Sequence, residues 1–144
     1  MKLIYAIIIV IMFANCKQKE QNNEIPQGDI LEIKKEENIL KKFTYEDVAR
    51  YTMASVMGQK TKIIKATKNK ELYLVSYVRK SDKQKFNYKV KFEGNKILWA
   101  NIDGRWRNSE FDEKLSFEEK DDFVKIIQTY SDGSEDIQRY KVGE

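Results

Sequence analysis

The segment "KFNYKVKFE" (residues 85–93) alternates without a fault. Phe86, Tyr88, Val90 and Phe92 fall on one side, and Lys85, Asn87, Lys89, Lys91 and Glu93 on the other. Successive side chains of a strand point to opposite faces, so this stretch reads as an antiparallel strand with one buried and one wet face. Just upstream, "ELYLVSYVR" (residues 71–79) is apolar on both sides and reads as a more central strand. Turn signals punctuate the chain on either side of this pair: Lys68-Asn69-Lys70, Ser81-Asp82-Lys83, Gly94-Asn95, Asp103-Gly104, Lys120-Asp121-Asp122 and Asp132-Gly133. They recur at hairpin spacing, which predicts a meander with strands near 61–68, 71–80, 84–93, 96–102, 105–108, 114–119, 123–130 and 136–142.

Before the strands comes "FTYEDVARYTMASVMGQ" (residues 43–59), which carries the start and stop signals of a helix. Thr44 is a good N-cap and Asp47, three residues on, completes an acidic variant of the capping box. Phe43 and Val48 are placed for a hydrophobic staple, Glu46 and Asp47 suit the positive end of the helix dipole, and Gly58 provides a left-handed stop. Tyr45, Val48, Ala49, Thr52, Met53, Val56 and Met57 make one broad apolar face that needs a sheet or a second helix to cover it. The preceding "DILEIKKEENILKK" (residues 29–42) mixes strand and helix periods, and is expected to be an irregular lead-in that turns helical near Asn38. The fold class is therefore α+β, with one capped helix packed on a curved antiparallel meander of five to eight strands, in a single domain over residues 38–144.

Composition removes whole chemistries. The 144 residues include no histidine, one cysteine and one proline. Without histidine, the commonest general base and the commonest metal ligand are missing. A lone cysteine makes neither an internal disulfide nor a multi-thiolate metal centre, so no metal and no cofactor is expected. The net charge of +4 favours anionic partners, yet falls far short of a dedicated nucleic-acid binder.

The chain opens "MKLIYAIIIVIMFANCKQKEQ" (residues 1–21), with eleven apolar residues from Leu3 to Phe13. As a helix, Leu3 to Ala14 would reach only about 18 Å, against a hydrocarbon core of about 30 Å. That length fits the apolar region of an export signal, with Lys2 as its positive start. Phe13-Ala14-Asn15-Cys16 then resembles the lipobox of bacterial lipoprotein precursors, although Phe13 stands where leucine is usual and Asn15 where a small residue is usual. The resemblance covers the first sixteen residues. It implies a signal peptide over residues 1–15, removed before Cys16, and acyl chains on Cys16 that hold the protein to a membrane. Two or three chains anchor stably where one does not. Residues 16–37 form the tether and lead-in: "KQKEQNNEIPQGD" (residues 17–29) lacks apolar periodicity and reads as a flexible tether. Lys17, in place of an aspartate, resembles an outer-membrane sorting address. The expected location is thus the bacterial cell envelope, lipid-anchored at the outer membrane and facing the periplasm.

Two constellations could bind a partner. In "WANIDGRWRN" (residues 99–108), Trp99, Arg105, Trp106 and Arg107 surround a tight turn. Two indoles and two guanidiniums close together can stack on a ring or grip an anion. Alternatively, one tryptophan fills the core, the other covers an edge, and the arginines pair with Asp103, Glu110 or Asp112. Lys85, Lys89 and Lys91 share the wet face of one strand, where they could meet anionic lipid, a charged glycan or an acidic protein, or simply keep the sheet soluble. The aromatics between these lysines face inward, away from any base, so no nucleic-acid partner is expected. "SDGSED" (residues 131–136) offers oxygen ligands, but lacks calcium-loop spacing and reads as a hairpin turn. Glu118, Glu119, Asp121 and Asp122 form an acidic turn with no signature of glycoside hydrolysis. The leading expectation is an envelope module that binds or blocks a neighbour by occupancy, as an inhibitor, an exclusion factor or an assembly accessory. A small Asp/Glu hydrolase and a structural envelope component are the competing classes.

Overall fold

The computed structural model describes residues 39–144. The signal peptide, Cys16, the tether and Asn38 lie outside the described residues. One helix, α1 (Tyr45–Met57), and a 3-10 turn (Thr61–Ile63) precede seven strands. These are β1 (Ile64–Asn69), β2 (Leu72–Val78), β3 (Lys85–Glu93), β4 (Lys96–Asn101), β5 (Lys114–Lys120), β6 (Phe123–Thr129) and β7 (Glu135–Lys141). The strands form one antiparallel sheet in chain order, curled into a half-barrel with α1 on its concave side.

The helix begins and ends where its chemistry dictates. The Thr44 hydroxyl accepts from the Asp47 N–H at 3.1 Å, and an Asp47 carboxylate oxygen accepts from the Thr44 N–H at 3.1 Å. Gly58, at φ 60°, closes the far end by sending its N–H to Ala54 and Ser55 carbonyls. Burial is broader than a single stripe: Tyr51 and Ala54 are buried along with Val48, Ala49, Thr52 and Met53. The reason is the curl. α1 contacts β1, β2 and β6, strands from both ends of the sheet, so apolar walls meet the helix on more than one side. Tyr51 stacks on Tyr140 of β7 with ring centres 4.6 Å apart.

The lead-in departs from the expected helix. Residues 39–44 are non-helical up to Tyr45. Instead, the Glu119 carboxylate takes the backbone N–H groups of Lys41 and Lys42 at 2.7 and 2.9 Å, and Lys42 pairs with Asp122. This places Leu40 and Phe43 in the core. A partner from β5, far along the chain, outweighs weak local helix propensity.

The register bears out the alternation of residues 85–93. Tyr88, Val90 and Phe92 are buried and Phe86 is half-buried. Neighbouring pairs keep the faces aligned: Tyr73↔Val90 and Val90↔Trp99 on the concave side, Leu74↔Lys89 and Lys91↔Leu98 on the convex side. The junction of β4 with β5 is different. It holds only two residue pairs, Lys96↔Ser116 and Ile97↔Leu115. Beyond them the strands diverge and residues 102–113 occupy the opening. Residues 105–108 are consequently not a strand, contrary to expectation. The Arg107 N–H does reach the Trp99 carbonyl at 3.1 Å, but Arg105 is drawn aside to Asp112, and no ladder follows.

Candidate binding surface

The opening between β4 and β5 sets the geometry of the candidate site. The chain leaves β4 through a turn in which the Gly104 N–H donates to the Asn101 carbonyl at 2.9 Å. It then doubles back along the β4 residues that β5 does not pair. Its outer end is a compact turn: Asp112 accepts from both the N–H and the hydroxyl of Ser109, at 2.9 and 2.7 Å. Arg105 clamps the same carboxylate with two parallel bonds of 2.7 and 2.9 Å. Asp112 is 6% exposed at its side chain, whereas Arg105 is 67% exposed, so the carboxylate is the embedded member of the pair. The Arg105 bonds, followed by those of Ser109, hold the Asp112 carboxyl well below the usual carboxylate range. Lys114 adds a bond to the Ser109 carbonyl.

The two tryptophans lie on opposite faces of β4. Trp99 shares the concave face with Val90 and Ile97, is 3% exposed, and meets Tyr88 edge-on at 5.8 Å. Its indole N–H donates to Glu113 at 3.2 Å and the Arg107 guanidinium lies 4.3 Å from its ring centre. Trp106 is half-buried on the convex face, where the ammonium groups of Lys89 and Lys91 lie 5.1 and 5.3 Å from its ring centre. Alternation explains the split: Trp99 keeps the phase of Val90, and Lys89 and Lys91 carry the other phase. The two indoles therefore make no common platform.

The remaining expected residues separate as well. Lys89, Lys91 and Trp106 come together, with Lys91 also bonded to Glu93 at 3.0 Å. Lys85 sits at the opposite end of β3, about 20 Å from Lys91 at the usual strand rise. There it borders an open groove of 520 Å³ with Phe86, Asn87, Tyr88 and residues 101–104. Arg105 and Arg107 are tied to Asp112 and Glu113 respectively, the latter at a loose 3.9 Å.

One residue of this surface is absent from the sequence reading. Phe111 is 82% exposed, the most exposed large apolar side chain among the described residues. It rides on the Ser109–Asp112 turn, so its backbone is fixed by the same bonds that bury Asp112. A lone aromatic inside a Ser-x-x-Asp turn flanked by charges was the available signal.

The acidic segments have structural partners. Asp132 accepts from Ser134, whose side-chain and backbone bonds lower its carboxyl, and Gly133 takes φ 83° in that hairpin turn. Glu119 and Asp122 hold the lead-in, as above. Among the described residues no three histidine, cysteine, aspartate or glutamate side chains gather as a metal site would need. No family model matches this chain, and neither a curated protein nor a solved structure matches it.

Proposed function

We infer that the protein is a lipid-anchored module of the bacterial envelope that binds a protein neighbour by occupancy, without a covalent step. The carrying observation is Phe111, an exposed aromatic on a loop already braced by Arg105 and Asp112. A pre-ordered aromatic anchor loses little conformational entropy on docking, and such anchors dominate interface energetics. Lys89 and Lys91 around Trp106 add a basic area on the convex face, which suits an acidic rim on the partner. Cys16 carries the acyl anchor, with signal residues 1–15 removed, and the tether lets the domain stand clear of the bilayer.

Two measurements test this reading. Mass spectrometry of the native protein should find a chain beginning at an acylated Cys16. An intact Met1 with an unmodified thiol would refute the anchor. A photo-reactive phenylalanine analogue at position 111, introduced in the native bacterium, should crosslink to one envelope protein. Capture of that protein should vanish in the Trp106→Ala/Phe111→Ala variant while the melting curve stays in place. Capture that survives the double change would exclude this loop as the docking surface.

A further inference from the structure

Among the described residues no further strand pairs with the two edges of the half-barrel, β1 and β7, and their chemistry differs. From Thr61 to Lys70 the β1 edge carries Lys62, Lys65, Lys68 and Lys70 and no acid, a pattern that repels a second copy of itself. β7 carries both signs in an order that reverses on itself: Glu135, Asp136, Ile137, Gln138, Arg139.

We propose that β7 pairs antiparallel with β7 of a second copy of this chain, about a two-fold axis through Ile137. The hydrogen-bond phase of the strand fixes this register. The Tyr130 N–H donates to the Ser134 carbonyl at 2.9 Å and the Val142 N–H to the Asp122 carbonyl at 3.4 Å. In an antiparallel ladder these bonds fall on alternate residues, so even-numbered β7 residues face β6. Glu135, Ile137 and Arg139 therefore turn their N–H and C=O groups to the open edge. Lys141 would be next, but it is taken: its N–H donates to the Glu144 carboxylate at 2.6 Å, and its carbonyl accepts from Tyr51 and Glu144. Only a register centred on Ile137 engages all three of these residues at once. Ile137 meets its own copy, and each Glu135 lies opposite the other chain's Arg139. Each Asp136 lies opposite a Gln138.

Side-chain chemistry inside the single chain points the same way. Arg139 sits directly across from Lys125 on the convex face, and forms no ion pair among the described residues. Lys125 is already bonded to Glu118 at 3.1 Å. Like charges opposed across strands are unfavourable, and the second copy's Glu135 supplies the missing carboxylate, giving two such pairs per dimer. Ile137 is 42% exposed and would be covered by its mate. The interface is isologous and closes at two copies, so it does not propagate into fibres.

The test is a charge swap with rescue, in the detergent-solubilised full chain. Sedimentation should give a concentration-dependent monomer–dimer equilibrium. Glu135→Arg and Arg139→Glu should each weaken dimerisation at least about tenfold, by turning two attractions into two repulsions. The Glu135→Arg/Arg139→Glu double variant should restore it, and circular dichroism confirms that each variant is folded. Ile137→Cys should oxidise to a covalent dimer, with Cys16→Ser added where the native thiol is found unmodified. Hydrogen-bonded antiparallel partners lie about 5.5 Å apart at Cα, within disulfide reach. Thr67→Cys on the β1 edge should form no covalent dimer. A chain that is monomeric up to roughly 1 mM, single swaps that leave dimerisation unchanged, or a double swap without rescue would each overturn the proposal.

Discussion

Replacing Phe117 by alanine tests how the two halves of the sheet are held together. Strands β1–β4 and β5–β7 share only two residue pairs at their junction. Backbone bonding there cannot by itself make one cooperative unit. An aromatic cluster closes the gap: Phe117 of β5 is 1% exposed and meets Phe92 of β3 edge-on at 5.7 Å and Tyr45 of α1 at 6.1 Å. Removing a fully buried phenyl ring costs about 3–5 kcal/mol, from lost transfer free energy and the cavity left behind. A domain of this size has about 5–15 kcal/mol in total, so the change removes a fifth or more. With a urea m-value of about 2 kcal/mol/M, the midpoint should fall by about 2 M. The decisive feature is where the loss is read. In a Trp106→Phe background, Trp99 emission reports on β4, in the other half from the substitution. If the cluster couples the halves, Trp99 fluorescence and far-ultraviolet circular dichroism should shift together by the full amount. A Trp99 transition left in place while the dichroism moves would refute the coupling, as would a loss below about 1.5 kcal/mol.

Three further outcomes follow from the same geometry. Arg105 and Ser109 depress the Asp112 carboxyl below its ordinary 3.8, so their stabilisation of the loop is complete above the unfolded-state value and disappears as pH falls through the folded one. Acrylamide quenching of Trp106, read in a Trp99→Phe chain that remains folded, should stay flat from neutral to about pH 4 and rise only in stronger acid; a rise near pH 6 would contradict the assignment. Thr44→Ala removes the helix N-cap and should cost about 1 kcal/mol by urea unfolding, with an unchanged m-value. Gly58→Ala meets nothing within 4 Å but forces a side chain into φ 60°, and should cost about 1 kcal/mol by the same assay, the strain acting without a clash.

Local rules made most of this fold readable. Perfect alternation in residues 85–93, a capped helix and evenly spaced turns each depend on neighbours a few positions away, and together they allow an α+β meander. What escaped the sequence depends on distant partners. The lead-in is non-helical because Glu119 binds its backbone from 78 residues away, which no window around Asn38 can contain. Tyr51 and Ala54 are buried because the sheet curls, a property of the whole meander and not of the helix. Residues 105–108 have strand-like content, but the decision lies with β5, which leaves β4 after two pairs and so removes the ladder they would have joined. The arginines of the loop had several acids to choose from in sequence, and the fold selects Asp112 for Arg105 and Glu113 for Arg107.

That same divergence explains why the candidate surface lies where it does. A closed sheet would pair every β4 carbonyl, and the loop that follows would be a short hairpin. Because β5 departs early, the Trp99 carbonyl is left for Arg107, and the rest of residues 102–113 must find its own supports. It finds them in side chains: a guanidinium over an indole, an indole N–H to Glu113, and a carboxylate gripped from two directions. Those supports tie up Arg105, Arg107, Ser109, Asp112 and Glu113 and leave the aromatics Trp106 on the lysine face and Phe111 at the tip. Within the isolated domain the Phe111 ring has little to do, since a phenyl group so exposed removes almost no apolar area from water. The cost of keeping a rigid turn with an apolar tip makes physical sense if something docks there, so Phe111→Ser should leave stability unchanged and abolish capture of the partner. If that substitution instead destabilises the domain while capture persists, the ring serves the fold and the docking surface lies elsewhere.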